Sequence, residues 1–550
     1  MKRIIYFGLL ASLSFSSCSE EFLERTPLNS VSEETFWKTD NDVYLAVNAI
    51  YATLPGEGIM YDDAATDIAH GQYGWESSAT TISSGVVNSS LNAGWEYEDQ
   101  RKANYFLENV DKAEMNQELK ERYKAEVRFI RAFSYFKMTN LFGDIPLVTS
   151  VLDFTEEQLN VPRTPKAEVI DFVIRELDAA AALLPESYSG GKTEERGRIT
   201  KGAALTLKTR VLLSEARYTE AAATAKEVIA LGYALFKVNS ESALDKKDDY
   251  TKFVTFENAA EEQKFRLGLR SYEGLFHQVN EGNNEVILDR QFIEQVQANY
   301  LNTYLMEGSI GGWSSIAPTQ SLVDSYQSFK TGEIVDVVAP AVRAERYNKD
   351  KTAFVEEFKN RDPRFYASIL FETAPWSALT TAGNYTFKWI DGASNMSKTG
   401  YNFRKMVDPV ANKEQLDNHS NIIIFRYAEI LLSYAEAQNE ASGPDASVYD
   451  AVDQVRARAG MPALNRTTYA SKESLREAIR QERKVELALE GVRYLDIRRW
   501  EIAPTVMGSI YNVKNALAQE RIWDDKLYLM PVPQKQIDLA YGILEQNPGY

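Results

Sequence analysis

A chain of 550 residues with 44% hydrophobic and 25% charged residues has the composition of an ordinary globular protein, long enough for several average domains or for one helical repeat array. A formal charge of −18 gives it a surface that repels phosphate backbones, whose binding proteins carry basic patches, and this argues against nucleic acid as a partner. With one cysteine, Cys18, the chain cannot close an internal disulfide.

The chain begins with Lys2 and Arg3, then an apolar stretch from Ile4 to Phe15, then Ser16 and Ser17 directly before Cys18. A charged start, an apolar middle and a small-residue cleavage site define a secretory signal. About a dozen apolar residues are too few for a membrane span, which takes roughly 20, so the segment is expected to be cut off. Ending on its lone cysteine, it resembles a bacterial lipoprotein signal, with Phe15 standing where such signals usually carry Leu. The resemblance implies loss of residues 1–17 and makes Cys18 the lipid-bearing first mature residue. One acyl chain anchors only marginally, at about 0.8 kcal/mol per buried methylene, so two or three are expected. Ser19, Glu20 and Glu21 resemble the acidic stretch that sends lipoproteins of the Bacteroidetes to the cell surface. An acylated Cys18 leaves the mature chain without a thiolate nucleophile or a zinc-binding thiol.

After a loop, FLERTPLNSVSEETFW, the spacing predicts a helix from about Asp40 to Thr53, with Val43, Val47 and Ile50 on one stripe and Pro55 and Gly56 ending it. Between Gly56 and Gly94 no helical period is sustained while glycine, serine, threonine and aromatics crowd together, which reads as a long decorated loop region. Helix returns from Trp95 to about Ala113 and from about Asn116 to Phe142. The second carries Phe129, Ile130, Phe133 and Phe136 on a buried face before Gly143 and Pro146 stop it. Three more helices are expected, from Lys166 to Leu184, from Thr200 to Glu215 and from Tyr218 to Leu231. The last two form an alanine-rich hairpin similar to a tetratricopeptide-type helix pair.

From Tyr233 to Asn421 the helical pattern is patchy and glycine, proline and aromatics rise, which predicts an irregular insertion with some strand, carried on the helical frame. The frame resumes at Phe425, where Tyr427, Ile430, Leu431 and Tyr434 share a face, and continues from about Ala446 to Ala459. A last long helix is expected from about Ser471, with Val485, Ala488, Leu489 and Val492 inward. The fold class read from these patterns is mostly α, a helical solenoid carrying loops.

Five segments of this chain resemble the SusD/RagB family of outer-membrane nutrient-binding lipoproteins. They are AEVRFIRAFSYFKMTNLFGDIPLV from Ala125, RDPRF from Arg361, FRYAEILLSYAEAQNE from Phe425, RQERKVELALEGVRYLDIRRW from Arg480, and the terminal MPVPQKQI…QNPGY from Met530. They occur in the family's order and span the whole mature chain. The resemblance implies a scaffold of four tetratricopeptide-like helix pairs with an irregular, loop-rich ligand-bearing insertion. The chain then divides into a signal (1–17), an N-terminal region of helix pairs (18–235), the insertion (236–420) and a C-terminal helical region (421–550), together one compact unit. The resemblance also implies a surface-exposed outer-membrane lipoprotein, anchored through Cys18, that sits as a hinged lid over a SusC-like TonB-dependent transporter. It would capture an oligosaccharide or polysaccharide and deliver it into that partner. A peptide cargo, as in the RagB branch, is the alternative.

Residues for catalysis or cofactors do not stand out. The three histidines, His70, His277 and His419, have no metal-ligand spacing, and neither a G-x-S-x-G elbow nor a G-x-x-x-x-G-K-[ST] phosphate loop occurs. Glu482, Glu486 and Glu490 recur at i, i+4 and i+8 among Arg483, Arg493 and Arg499, which reads as a solvated or interhelical salt-bridge set and not as catalytic machinery. Glycoside hydrolysis needs only two carboxylates about 5 to 10 Å apart, so a surface hydrolase stays as a third reading of a chain taken as a non-enzyme with no cofactor or metal.

A neutral sugar is held by stacking its apolar ring faces on aromatic side chains and by hydrogen bonds to amides, so exposed Trp or Tyr on loops beside Asn or Gln is the pattern sought. The first loop region offers His70, Gln72, Tyr73, Trp75, Asn88 and Asn92, with Trp75 foremost. The insertion offers Tyr300, Tyr304 and Trp313 beside Asn299 and Asn302. The ligand-binding candidates are therefore Gln72, Tyr73, Trp75, Asn88, Tyr300, Tyr304 and Trp313. Trp95 is assigned to the frame, and Trp376 and Trp389 are left open.

Overall fold

The computed structural model describes residues 36–152, 161–188, 195–414 and 418–550; the signal segment 1–17 and Cys18 lie outside the described residues. The helical frame starts with α1 (Asp40–Tyr51), α2 (Glu98–Asn109), α3 (Gln117–Phe142), α4 (Lys166–Leu183), α5 (Lys201–Ser214) and α6 (Tyr218–Ile229). Side chains just ahead of α1, α3 and α5 satisfy orphan backbone donors. Thr39 forms a capping box with Asp42, Asn116 accepts from the Leu119 amide at 3.0 Å and Thr200 from that of Ala203 at 3.3 Å. Trp95 is buried ahead of α2, edge-on to Phe142 at 5.0 Å between ring centroids, in the packing role expected of it.

Within the predicted insertion runs α7 (Ala259–Gly274), capped by Asn258, and after it the frame continues with α8 (Tyr427–Ser442), α9 (Ala446–Arg458), α10 (Lys472–Glu486) and α11 (Arg493–Arg499). From α2 to α6 each helix packs on the next, α6 packs directly on α8, and α8 packs on both α9 and α10, so the solenoid is continuous in space although a long segment interrupts it in sequence. One hydrophobic core accordingly joins α1 to α6 with α8 to α10, drawing Phe129, Val173, Leu207, Val228, Leu431 and Val452 together.

A second core lies outside the solenoid and corrects two expectations. The insertion has irregular backbone but a dense interior, where Phe265, Phe358, Phe365, Tyr366 and Phe371 meet ring against ring. Trp376 and Trp389 are buried in it. Part of the supposed loop region after Gly56 also belongs there: the short helix Ile59–Ala64 and the following strand bury Met60, Tyr61, Ile68 and Ala69. The sequence hid this because short, nearly continuous burial has no period to detect.

Four two-stranded antiparallel ribbons tie the described segments together: β1 (Ala69–Gly71) with β3 (Ile316–Pro318), β2 (Val286–Arg290) with β6 (Ile422–Arg426), β4 (Ile369–Leu370) with β5 (Asn402–Phe403), and β7 (Ile510–Tyr511) with β8 (Leu517–Gln519). The long helix expected from Ser471 ends at Glu486. Leu489 at φ 71° and Gly491 at φ 73° turn the chain before α11, so Ala488, Leu489 and Val492 are buried from a turn and not from a helical stripe.

The recurring acids of this segment are not solvated. Glu486 accepts from Arg364 at 2.8 Å, from Arg426 at 2.6 Å and from Arg458, while Glu482 takes Arg364 at 2.5 Å and Arg456 at 2.9 Å. Glu490 takes Lys405 and Arg426, each at 2.6 Å. These groups are buried where solenoid and second core meet, so breaking one pair strands a charge without water. The RDPRF and RQER segments are thus a structural clamp.

Candidate ligand-binding site

The β1–β3 ribbon registers His70 against Ala317 and Gly71 against Ile316, and the Gln72 amide extends it by donating to the Ser315 carbonyl at 2.7 Å. This pairing delivers the segment after β1 and the segment before β3 to one edge of the second core. Trp75 and Trp313 meet there with ring centroids 5.9 Å apart at 61°, and Tyr73 lies 5.6 Å from Trp75. Trp75 is 72% exposed and Trp313 38%, so the pair offers apolar faces to solvent that the fold does not use.

Glycine sets the position of Trp313. Gly311 adopts φ +87°, and a side chain on Gly312 would collide with the Met306 backbone, so GSIGGW can double back only with small residues there. The Trp313 amide then donates to the Thr303 carbonyl at 2.7 Å, which ties the backbone at Trp313 to the helical turn Leu301–Leu305.

A polar string orients the rings. Gln72 Nε2 donates to the Tyr73 hydroxyl at 2.9 Å, and that hydroxyl donates to Asn395 Oδ1 at 3.1 Å. Gln72 Nε2 also reaches the Trp313 carbonyl at 3.5 Å while its Oε1 is buried, which leaves the Asn395 amide nitrogen, without a hydrogen-bond partner among the described residues, as the donor for a ligand hydroxyl. Tyr300, 60% exposed, lies 5.9 Å from Tyr304, which in turn lies 5.8 Å from Tyr61. The Tyr61 hydroxyl donates to Glu76 at 2.7 Å, and the Ser315 hydroxyl donates to the other oxygen of Glu76 at 2.8 Å. Burial, and for Tyr61 also its bonded carboxylate, pushes the Tyr61 and Tyr304 hydroxyls above their ordinary range, so they stay protonated.

Of the candidates, Gln72, Tyr73, Trp75 and Trp313 converge, and Tyr300 and Tyr304 join them through Tyr61 and Glu76. Asn88 is not drawn in: its Oδ1 closes a turn by accepting from the Ser90 amide at 2.9 Å. Asn92 likewise accepts from the amides of Gly94 and Trp95. Asn299 is buried and donates to the Ser420 carbonyl, and Asn302 is spent on Asp408 and Asn418. His70 is 2% exposed, and burial, reinforced by Arg521 and Lys398, lowers it to about 3, so it stays neutral beneath the site. Asn395, Tyr61 and Glu76 escaped sequence reasoning, because no local pattern links Asn395 to a tyrosine 322 positions away.

Comparison with known proteins places this geometry in a family. The sequence model of the SusD family matches residues 273–550, and one described as starch-binding associating with outer membrane matches residues 21–213. The chain belongs to the SusD family. SusD-like protein P25 of Formosa agariphila is 26% identical over 100% of this chain and 99% of its own length. The crystal structure of a SusD-like protein from Bacteroides fragilis superposes with a TM-score of 0.79 at 29% identity, covering 96% of this chain and 100% of the other. A SusD-like carbohydrate binding protein from the same species gives 0.75 at 26% identity, with 93% and 99% covered. The mostly α fold of this SusD-family chain is thus shared along nearly its whole length.

Proposed function

We propose that this SusD-family chain is a cell-surface glycan-binding lipoprotein of the outer membrane, which captures oligosaccharide or polysaccharide on the Trp75–Trp313 platform and delivers it to a SusC-like TonB-dependent transporter. The observation that carries the reading is the exposed indole pair flanked by Tyr73 and the amide nitrogen of Asn395. Flat apolar faces rimmed by orientable donors and acceptors suit pyranose rings, which present C–H faces and equatorial hydroxyls. The carbohydrate-binding relative from Bacteroides fragilis supports the same cargo class. Membrane attachment rests on Cys18 and the signal before it; among the described residues no helix is long and apolar enough to cross a membrane.

The site is a binder in this reading and not a hydrolase. Glu76, the carboxylate beside the rings, is already held on both oxygens by Tyr61 and Ser315, which leaves it poorly placed to protonate a leaving group. Calorimetry of the full chain against plant, microbial and host glycans, with a reducing-end assay alongside, tests the proposal. Saturable glycan binding without release of reducing ends is expected; binding of peptides alone would move the chain to the RagB-like reading, and loss of polymer would make it an enzyme.

A further inference from the structure

Beside Tyr304, a cleft of about 420 Å³ opens between the Ile59–Ala64 helix and α3, within the range of small-ligand pockets. Tyr61, Tyr304 and Tyr494 line it. A second cavity of about 320 Å³ continues from it, sharing Asp62, Lys137 and Tyr494.

Three polar side chains of this cleft make no bond within the described residues. Asp62 and Lys137 have no hydrogen bond or ion pair among the described residues, although nearby acids and bases are paired throughout the molecule. The Tyr494 hydroxyl is shut off from solvent without a partner. Glu76, by contrast, is fully consumed by Tyr61 and Ser315. Asp62 and Lys137 are exposed and hydrated, whereas the Tyr494 phenol, shut off from water without a partner, costs stability, as a polar group does that a ligand would complete. Packing around it, only partly offset by Lys137, raises the Asp62 carboxyl to about 6 although the residue keeps access to solvent.

We infer that the cleft is a second subsite, which takes one neutral sugar ring of a glycan chain whose neighbouring rings lie on the Trp75–Trp313 platform. The inference rests on the glycan-binding reading given above. Tyr300, Tyr304 and Tyr61 follow one another at 5.9 and 5.8 Å, and Glu76 ties Tyr61 to Ser315, two residues after Trp313, so the tyrosines lead into the cleft from the segment that carries the indole. Inside, the ring's apolar face lies on Tyr304 while its hydroxyls bond Asp62 and Lys137, a mixed pair that serves hydroxyls as both acceptor and donor. Glu57 and Asp62 in the lining against the single Lys137 disfavour an acidic sugar.

Calorimetry of the full chain with malto-, laminari-, manno- and xylo-oligosaccharides of two to six residues tests this. For the series that binds, affinity of the wild-type chain should rise steeply once the oligosaccharide spans both platform and cleft. Lys137→Met, at an exposed and unbonded residue, and Tyr494→Phe should each lower hexasaccharide affinity about tenfold without lowering the melting temperature, and should flatten the length dependence. If both variants bind hexasaccharide as the wild type does while Trp75→Ala abolishes binding, the second subsite is refuted and the platform stands. If no oligosaccharide binds, or if Trp75→Ala and Trp313→Ala are also without effect, the glycan-binding reading falls and the subsite with it.

Discussion

Trp75 and Trp313 meet edge to face with ring centroids 5.9 Å apart, though each stands on a segment that makes no sense as a site alone. Their meeting depends on three residue pairs of a ribbon, Ala69 with Pro318, His70 with Ala317 and Gly71 with Ile316. An aromatic pair of this kind is worth about 0.5–1.5 kcal/mol beyond the area it buries, and a sugar ring laid on it adds that area again. Trp75→Ala should therefore weaken glycan binding about tenfold or more, and Trp313→Ala similarly. Trp75 is largely exposed, so the melting temperature of Trp75→Ala should stay within a degree or two of the wild type by about the margin surface substitutions allow.

Asn395 acts on the ligand partly through Tyr73. Its Oδ1 accepts from the Tyr73 hydroxyl, and its left-handed backbone at φ 54° holds it in the turn that does so. Asn395→Ala should release that hydroxyl and remove one ligand donor, at about 1 kcal/mol for a neutral hydrogen bond. Calorimetry should show affinity reduced roughly fivefold, and Tyr73→Phe in the Asn395→Ala background should add little further loss.

The buried clamp predicts a large stability loss. Glu486→Gln leaves Arg364, Arg426 and Arg458 short of a charge partner in the interior. Breaking a buried ion pair from one side costs about 3–5 kcal/mol, so the urea midpoint should fall clearly. Glycan affinity measured well below that midpoint should not change, because the clamp lies apart from the rings.

Acid should unfold the chain over a defined window. Burial alone would raise Glu273, but Arg404 and Arg270 outweigh it and hold the carboxyl at about 2; Glu486 is held lower still by Arg458, Arg426 and Arg364 against the same burial. A carboxyl whose folded pKa lies below its unfolded value of 4.5 contributes fully above that value, and the contribution is lost as pH falls toward the folded pKa. Melting temperature should therefore drop steeply between about pH 4.5 and pH 2 by this linkage. A steady decline beginning near neutrality would refute it.

Asp62 has the opposite sign. Its carboxyl is raised to about 6 from 3.8, so the folded chain holds the proton more tightly than the unfolded one and gains stability as pH falls through that interval. Asp62→Asn imitates the neutral form and should raise the melting temperature at pH 7, with the gain shrinking to nothing below pH 4. Weaker glycan binding in the same variant would mark a residue kept at a cost to stability.

Much of the frame is legible in the chain. The stripes of Val43, Val47 and Ile50 and of Tyr427, Ile430, Leu431 and Tyr434 place α1 and α8 because a helix facing one core must repeat apolar residues at its own period. The insertion has no such period: α7 carries arginines that are buried against Glu241, Asp248 and Glu273, so composition misreports which face is inward. Among the candidate site residues, exposed rings on glycine-rich loops could be picked out by type. Asn88, Asn92, Asn299 and Asn302 fit the pattern of amides beside such rings yet close turns or bond backbone, since an amide serves a backbone group as readily as a ligand.

The order of its residues alone determined the helical solenoid, the family and the two loop regions that bear aromatics, because each is a local pattern or a local motif. Which rings face one another, which acids are shielded from water and which side chains are left unspent beside Tyr304 were decided only when distant segments paired. The reason is physical: a ring's exposure and a charge's partner are properties of the neighbours folding brings, and no residue carries those neighbours in its own stretch of chain.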